Sequence, residues 1–185
     1  SSVVLLYSHF ERYFYAVHEE AVAYLNASGI VSETIPENLR LLHSNLVVTG
    51  LGETSWERRA PGLARFVRSE AWLWTPGATG VMISSRLLEW MTSPDPKALI
   101  RLYNYWGISD IFTAITRRRH TRAALYLLVE ELVDRRHAIA HGDANATATR
   151  VDVQRYASTV IRFCERADRQ LARRLAHLTG GASPW

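Results

Sequence analysis

Cysteine, lysine and long apolar runs are nearly absent from this chain of 185 residues. Cys164 is the single cysteine, which excludes an internal disulfide and suits a reducing compartment such as the cytoplasm. No apolar stretch approaches the roughly 18 residues that a membrane-spanning helix needs. The opening Ser1-Ser2-Val3-Val4-Leu5-Leu6 has no basic start and reaches charge by Glu11, so it does not read as a secretion signal. Lys97 is the one lysine among 22 basic residues, within a net charge of +4. A GC-rich genome produces that bias without any functional demand. Equally, a guanidinium offers phosphate a planar fork of donors, and charge alone does not choose between the two. What remains, 48% hydrophobic and 22% charged residues, is the make-up of a soluble globular protein with one buried core.

Periodicity carries the next inference. Leu6, Phe10, Tyr13, Phe14, Val17, Ala21, Tyr24 and Leu25 recur at steps of three and four, the pattern of one buried helix face. Asn26-Ala27-Ser28-Gly29 is a fitting stop. From His120 the same pattern returns through Leu125, Leu128, Leu132 and Ile139. After a polar loop over 142–149, a last long helix is expected over 151–178, with Val153, Ala157, Val160, Cys164, Ala167, Leu171 and Leu178 on one face. Its arginines, Arg155, Arg162, Arg166, Arg169, Arg173 and Arg174, read as a solvated face. Residues 36–115 are less regular and rich in tryptophan. There Pro36 opens a short helix, Thr54-Ser55-Trp56-Glu57 starts another, and 84–91 and 97–106 are helical. Thr75-Pro76-Gly77 and Ser93-Pro94-Asp95-Pro96 are breaks. Trp56, Trp72, Trp74, Trp90 and Trp106 are expected to pack between these short helices. Nothing alternates as paired strands would, so the fold class is all-α, a bundle of long first, motif-bearing and C-terminal helices with short ones in the middle. The whole of 1–185 is read as one domain, with 36–115 insert-like.

Chemistry concentrates in Asp134-Arg135-Arg136-His137-Ala138-Ile139-Ala140-His141-Gly142-Asp143. On a helix begun near Thr121, rotation by about 100° per residue puts Glu130, Asp134, His137 and His141 on one face. Two acids and two imidazoles over three turns admit three readings. One is a solvated face with supporting charge pairs. A second is a metal site, for which His9, His18 and Glu19 on the first helix are the complement on offer. The third is acid–base work on RNA, whose 2′-hydroxyl is a built-in nucleophile. Histidine titrates near neutrality and moves protons either way, while arginine places fixed charge and paired donors on phosphate oxygens. Arg136 with His141 has that inventory.

Arg136-His137-Ala138-Ile139-Ala140-His141-Gly142 resembles the motif of HEPN ribonucleases, an arginine and a histidine separated by four to six residues. The opening Phe10-Glu11-Arg12-Tyr13-Phe14 is similar to the start of the MAE-type branch, close to the RiboL-PSP-HEPN group. The resemblance covers both ends of the chain and little of the middle. It implies a metal-independent endoribonuclease without cofactor, of toxin–antitoxin or antiphage-defence type. Arg136 and His141 would be the catalytic pair and His137 the polar residue after the arginine. Arg135, Asp134, Glu130 and Asp143 would support them. Asp143 stands where some relatives have a modifiable tyrosine, so that route of control is not implied. Arg117, Arg118, Arg119 and Arg122 crowd the start of the motif helix, the unfavourable end for cations, and are read as RNA-phosphate contacts.

On an ideal helix Arg136 and His141 diverge by about 140°. Either the helix loosens near 140–142, or two chains complete one site, and a homodimer with a composite cleft is expected. An antitoxin or companion protein is a further expected partner, and no membrane is. The rival readings are a non-catalytic helical module that binds RNA or protein, and a helical metalloenzyme using Glu130, Asp134, His137 and His141.

Overall fold

The computed structural model describes residues 2–143 and 146–185. Among them there is no strand, and eight α-helices are joined by short 3-10 turns. Residues 144 and 145 of the expected polar loop lie outside the described residues.

Three long helices form the frame. Helix α1 (Ser2–Ser28) ends at Gly29, whose φ of +63° is open to glycine at little cost. Its buried face holds Val3, Tyr7, Phe10, Phe14, Val17, His18, Ala21, Val22 and Leu25. Periodicity found Phe10, Phe14, Val17, Ala21 and Leu25, but Val3, Tyr7, His18 and Val22 are additions, and Leu6, Tyr13 and Tyr24 are only half-buried. Helix α8 (Arg150–Thr179) is closed at its start by a capping box, the Thr149 and Asp152 side chains each bonding the other's backbone N–H. Against these two packs the motif helix α7 (Arg119–Ala140). Phe10, Phe14, Phe112 and Phe163 meet edge-on or tilted at the centre, with centroids 4.9–6.2 Å apart.

The middle holds α2 (Glu37–Glu53), α3 (Ala60–Ser69), α4 (Ser85–Leu88), α5 (Pro96–Tyr105) and α6 (Ile111–Ile115). Several expectations need correction here. Residues 84–91 contain only the single turn of α4, and Thr54–Glu57 lead into a 3-10 turn (Trp56–Arg58) before α3 begins. Trp106 is buried, and Trp72 and Trp90 pack against the core. Trp56, by contrast, is 76% exposed, and Trp74 lies at the surface under the Arg40 guanidinium, 5.1 Å from its ring centroid. An aromatic count sees density, whereas burial depends on which short helix turns inward.

Polar groups organise this region. His43 and Glu70 are fully buried, with His43 Nδ1 donating to Glu70 Oε2 at 2.7 Å. Arg86 pairs with the other carboxylate oxygen. His43 Nε2 accepts from the Ile83 N–H at 2.8 Å, so the ring is neutral and joins α2 to the segment before α4. The arginines of α8 are not all solvated either. Arg174 donates through Nε to the Trp106 carbonyl at 2.8 Å, and Arg155 pairs with Glu131 across to α7 at 2.8 Å.

Candidate functional site

The start of α1 and the end of α7 meet at Tyr7. This buried ring donates from its hydroxyl to Ser93 Oγ at 3.1 Å, which anchors the 93–96 break on the frame. Burial pushes its pKa up, with the nearby Arg136 charge among the weaker opposing influences. The Arg136 guanidinium lies over the ring, 4.7 Å from the centroid, and the His137 ring sits 6.4 Å from it at 54°.

Arg136 occupies an unusual place. The buried positions of α7 are Leu125, Val129, Leu132 and Val133, and one turn further the same stripe predicts an apolar side chain. A half-buried arginine is found there instead, its guanidinium without a hydrogen bond or ion pair to any described residue. Withdrawing such a charge from water is costly unless it is paired. Stacking on Tyr7 returns about 0.5–2 kcal/mol of that.

Arg135 has a different task. Its Nη1 donates to the Thr147 carbonyl at 2.5 Å, and its Nη2 lies 3.7 Å from Glu131. Glu131 also accepts from the Tyr156 hydroxyl at 2.6 Å. Arg135 therefore ties the loop after α7 to α8, which separates two arginines that spacing could not tell apart.

The helix does not loosen. His141 N–H donates to the His137 carbonyl at 3.0 Å, Gly142 N–H to Ile139 at 3.2 Å and Asp143 N–H to Ala138 at 3.0 Å. With Gly142 at φ +77°, this is a Schellman close. His141 caps an intact helix and is exposed, so the expected divergence from Arg136 of about 140° stands. Within one chain, Arg136 lies toward α1 while His141 stands in solvent.

Residues 85–173 match the family model described as RiboL-PSP-HEPN. That match supports a HEPN-superfamily domain in this stretch. HEPN domains are often ribonucleases, and they commonly bind RNA and dimerise. The matched stretch is just under half of the chain, running from α4 into α8 and including all of α7; α1, with Tyr7, lies outside it. No curated protein and no solved structure matches the chain.

Around the end of α7 lie two hollows. One, about 260 Å³, is lined by Asp95, Lys97, Glu130, Asp134 and His137 among others. A second, about 530 Å³, is lined by Glu130, Glu131, Asp134, Arg135, Ala138 and Asp143 among others. Glu130 and Asp134 border both, and their carboxylates repel phosphate there. Lys97, the one lysine, borders the hollow that holds His137. The structure thus brings His137, Asp134 and Glu130 together, places Arg136 beside them on Tyr7, and leaves His141 at the tip. Among the described residues, no three of His, Cys, Asp and Glu converge as metal ligands. The complement suggested on α1 is not one, because His18 is buried with Nδ1 donating to the Phe14 carbonyl at 2.8 Å. Arg117 and Arg118 precede α7 and Arg119 opens it, all exposed. Arg122 donates to Thr113 Oγ1 at 3.2 Å. By helix rise, Arg119 lies about 27 Å from the level of His137.

Sequence reasoning missed Tyr7, Ser93 and Lys97. Tyr7 was open to discovery, since it stands three residues before Phe10 on the same stripe. Ser93 and Lys97 carried no signal, because only the fold brings the middle segment to the end of α7.

Proposed function

We propose that this HEPN domain is a metal-independent endoribonuclease in which Arg136 and His141 carry the reaction. One observation carries the reading: the Arg136 guanidinium, stacked on Tyr7 and one residue from His137, has no protein acceptor among the described residues. Such a group is suited to an anion that arrives from outside. In the proposed reaction an imidazole removes the 2′-hydroxyl proton and the 2′-oxygen attacks phosphorus. The bond to the 5′-oxygen breaks, that oxygen takes a proton, and a cyclic phosphate is left. Arg136 stabilises the charge that gathers on the phosphate. His137 and Lys97 line its approach, and Asp134, Glu130 and Asp143 border it.

The intact helix end supports a second copy as part of the site. Arg136 and His141 of one chain lie on different sides of α7, and one histidine does not serve as base and acid in one concerted step. Two chains related by a twofold axis supply two histidines and two arginines to one cleft. The whole chain then acts as one domain in a homodimer within the cytoplasm. Its setting is toxin–antitoxin or antiphage defence, with an antitoxin or companion protein restraining it.

The test is purified wild type against His141→Ala on total RNA. Loss of cutting by about 10²–10⁴-fold, cyclic phosphate ends and indifference to EDTA are expected. Cutting that survives His141→Ala, or stops on metal removal, overturns the reading. A chain that binds RNA and never cuts it belongs to a non-catalytic module.

A further inference from the structure

A third hollow, about 540 Å³, opens beside the N-terminal half of α7, lined by Ile100, Phe112, Tyr126 and Leu127 with Arg119 and Arg122. That volume lies within the roughly 300–1,000 Å³ of small-ligand sites. Its floor is rigid: Phe112 is buried, and the Tyr126 ring packs on it with centroids 5.3 Å apart. Leu127 is 60% exposed, so the wall facing solvent is apolar. Arg119 makes no ion pair with any described residue. Asp110, the one carboxylate in the lining, is occupied by Phe112 N–H, Thr113 N–H and the Thr113 hydroxyl. The hollow therefore offers an aromatic and aliphatic slot with two guanidinium groups, Arg119 and Arg122, against one carboxylate at its edge. Tyr126 also borders the hollow that holds His137, so the two flank the same side chain. By helix rise Tyr126 stands about 16 Å from His137.

We infer that this hollow seats an unstacked base of single-stranded RNA while Arg119 and Arg122 hold a neighbouring phosphate. Apolar and aromatic walls reward a base only when its face is free, and in a duplex the faces are hidden by stacking. An aromatic platform with a cationic rim is how single strands are gripped without regard to sequence. The ligand rests on the reading of the chain as an RNA-cutting domain, and it narrows that reading to unpaired RNA held a few nucleotides from the scissile bond.

The test uses the full chain with His141→Ala, to prevent cutting, and a short fluorescein-labelled single-stranded RNA followed by anisotropy. Adding Tyr126→Ala is expected to weaken binding by about fivefold to a hundredfold, with Tyr126→Phe close to the parent. An RNA carrying one abasic site, moved along the strand, is expected to lose the same amount at one position. That loss vanishes when Tyr126→Ala is already present. Arg119→Gln with Arg122→Gln is expected to lower the salt dependence by about one to two ions. Should Tyr126→Ala fail to fold, the abasic series on intact Tyr126 still decides the matter. A flat abasic series overturns the inference. If Tyr126→Ala in addition turns a dimer into monomers by sedimentation, a second copy covers the hollow. A wild type that leaves RNA whole while the abasic series shows its single position sinks the cleavage reading and keeps the base seat. Cutting that needs His141 alongside a flat series does the reverse.

Discussion

Where α1, α7 and α8 meet, the centre is apolar, with Phe10, Phe14, Leu132 and Phe163 buried together and the polar pairs, such as Glu131 with Arg155, kept toward the edge. Across α2, the segment before α4 and α4 itself, the centre is instead an imidazole, a carboxylate and a guanidinium: His43, Glu70 and Arg86. The difference is one of size. A long helix repeats its apolar face over many turns and buries enough area to hold itself in place, at about 25 cal/mol per Å². A single turn such as α4 cannot, and needs directional bonds to fix where it sits. Such bonds are fragile in a different way, because removing one partner strands the other away from water.

The sharpest way to break this contrast is Glu70→Gln. It removes the charge that pairs with Arg86 and leaves one acceptor oxygen where Arg86 and His43 use two, and should cost about 3–5 kcal/mol, measured by denaturant unfolding. Hydrogen exchange should rise first across residues 37–88 and spare α7. A uniform rise would mean that the middle is no separate unit of stability. Next, Arg136→Lys keeps the charge but loses the planar stack and fork. Cutting should fall by about 10²–10³-fold while the melting temperature moves little; a large stability loss with full activity would assign Arg136 to the frame.

Acid should test both regions at once. Burial lowers the pKa of His18, in α1, and of His43, in α2, to about 4. Both are neutral in the fold, whereas an unfolded histidine takes its proton near 6.5. Between those values the unfolded chain binds more protons, so stability falls as pH drops from about 6.5 to 4. The loss reaches roughly 3 kcal/mol for His18, and His43, held down by burial and by the Arg86 charge, adds to it in the same direction. Unfolding curves at neutral and mildly acid pH check this, and His18→Gln should flatten part of the slope. The smallest effect is at the start of α8, where Thr149→Ala removes the cap and should cost about 1 kcal/mol by thermal unfolding, with cutting retained.

Much of the frame was legible because its signal is redundant. Stripes in α1, α7 and α8 repeat over many turns, so missing Tyr7 or misplacing an end by a residue does not disturb the assignment. In the middle, each helix is too short for period to speak, and the pairing of His43 with Glu70 spans a separation no local pattern marks. The candidate site divides the same way. Its residue types and spacing stood out on α7, while Arg135 and Arg136 stayed equivalent until their surroundings were known.

The residues alone determined an all-helical chain and a chemically unusual end to one helix, since periodicity and side-chain type are local properties. Tertiary structure decided that Arg136 stacks on Tyr7 while Arg135 braces a loop, and that Ser93 and Lys97 reach the same corner. Those are matters of which distant surfaces meet, and burial, the strongest force in folding, acts between surfaces rather than along the chain.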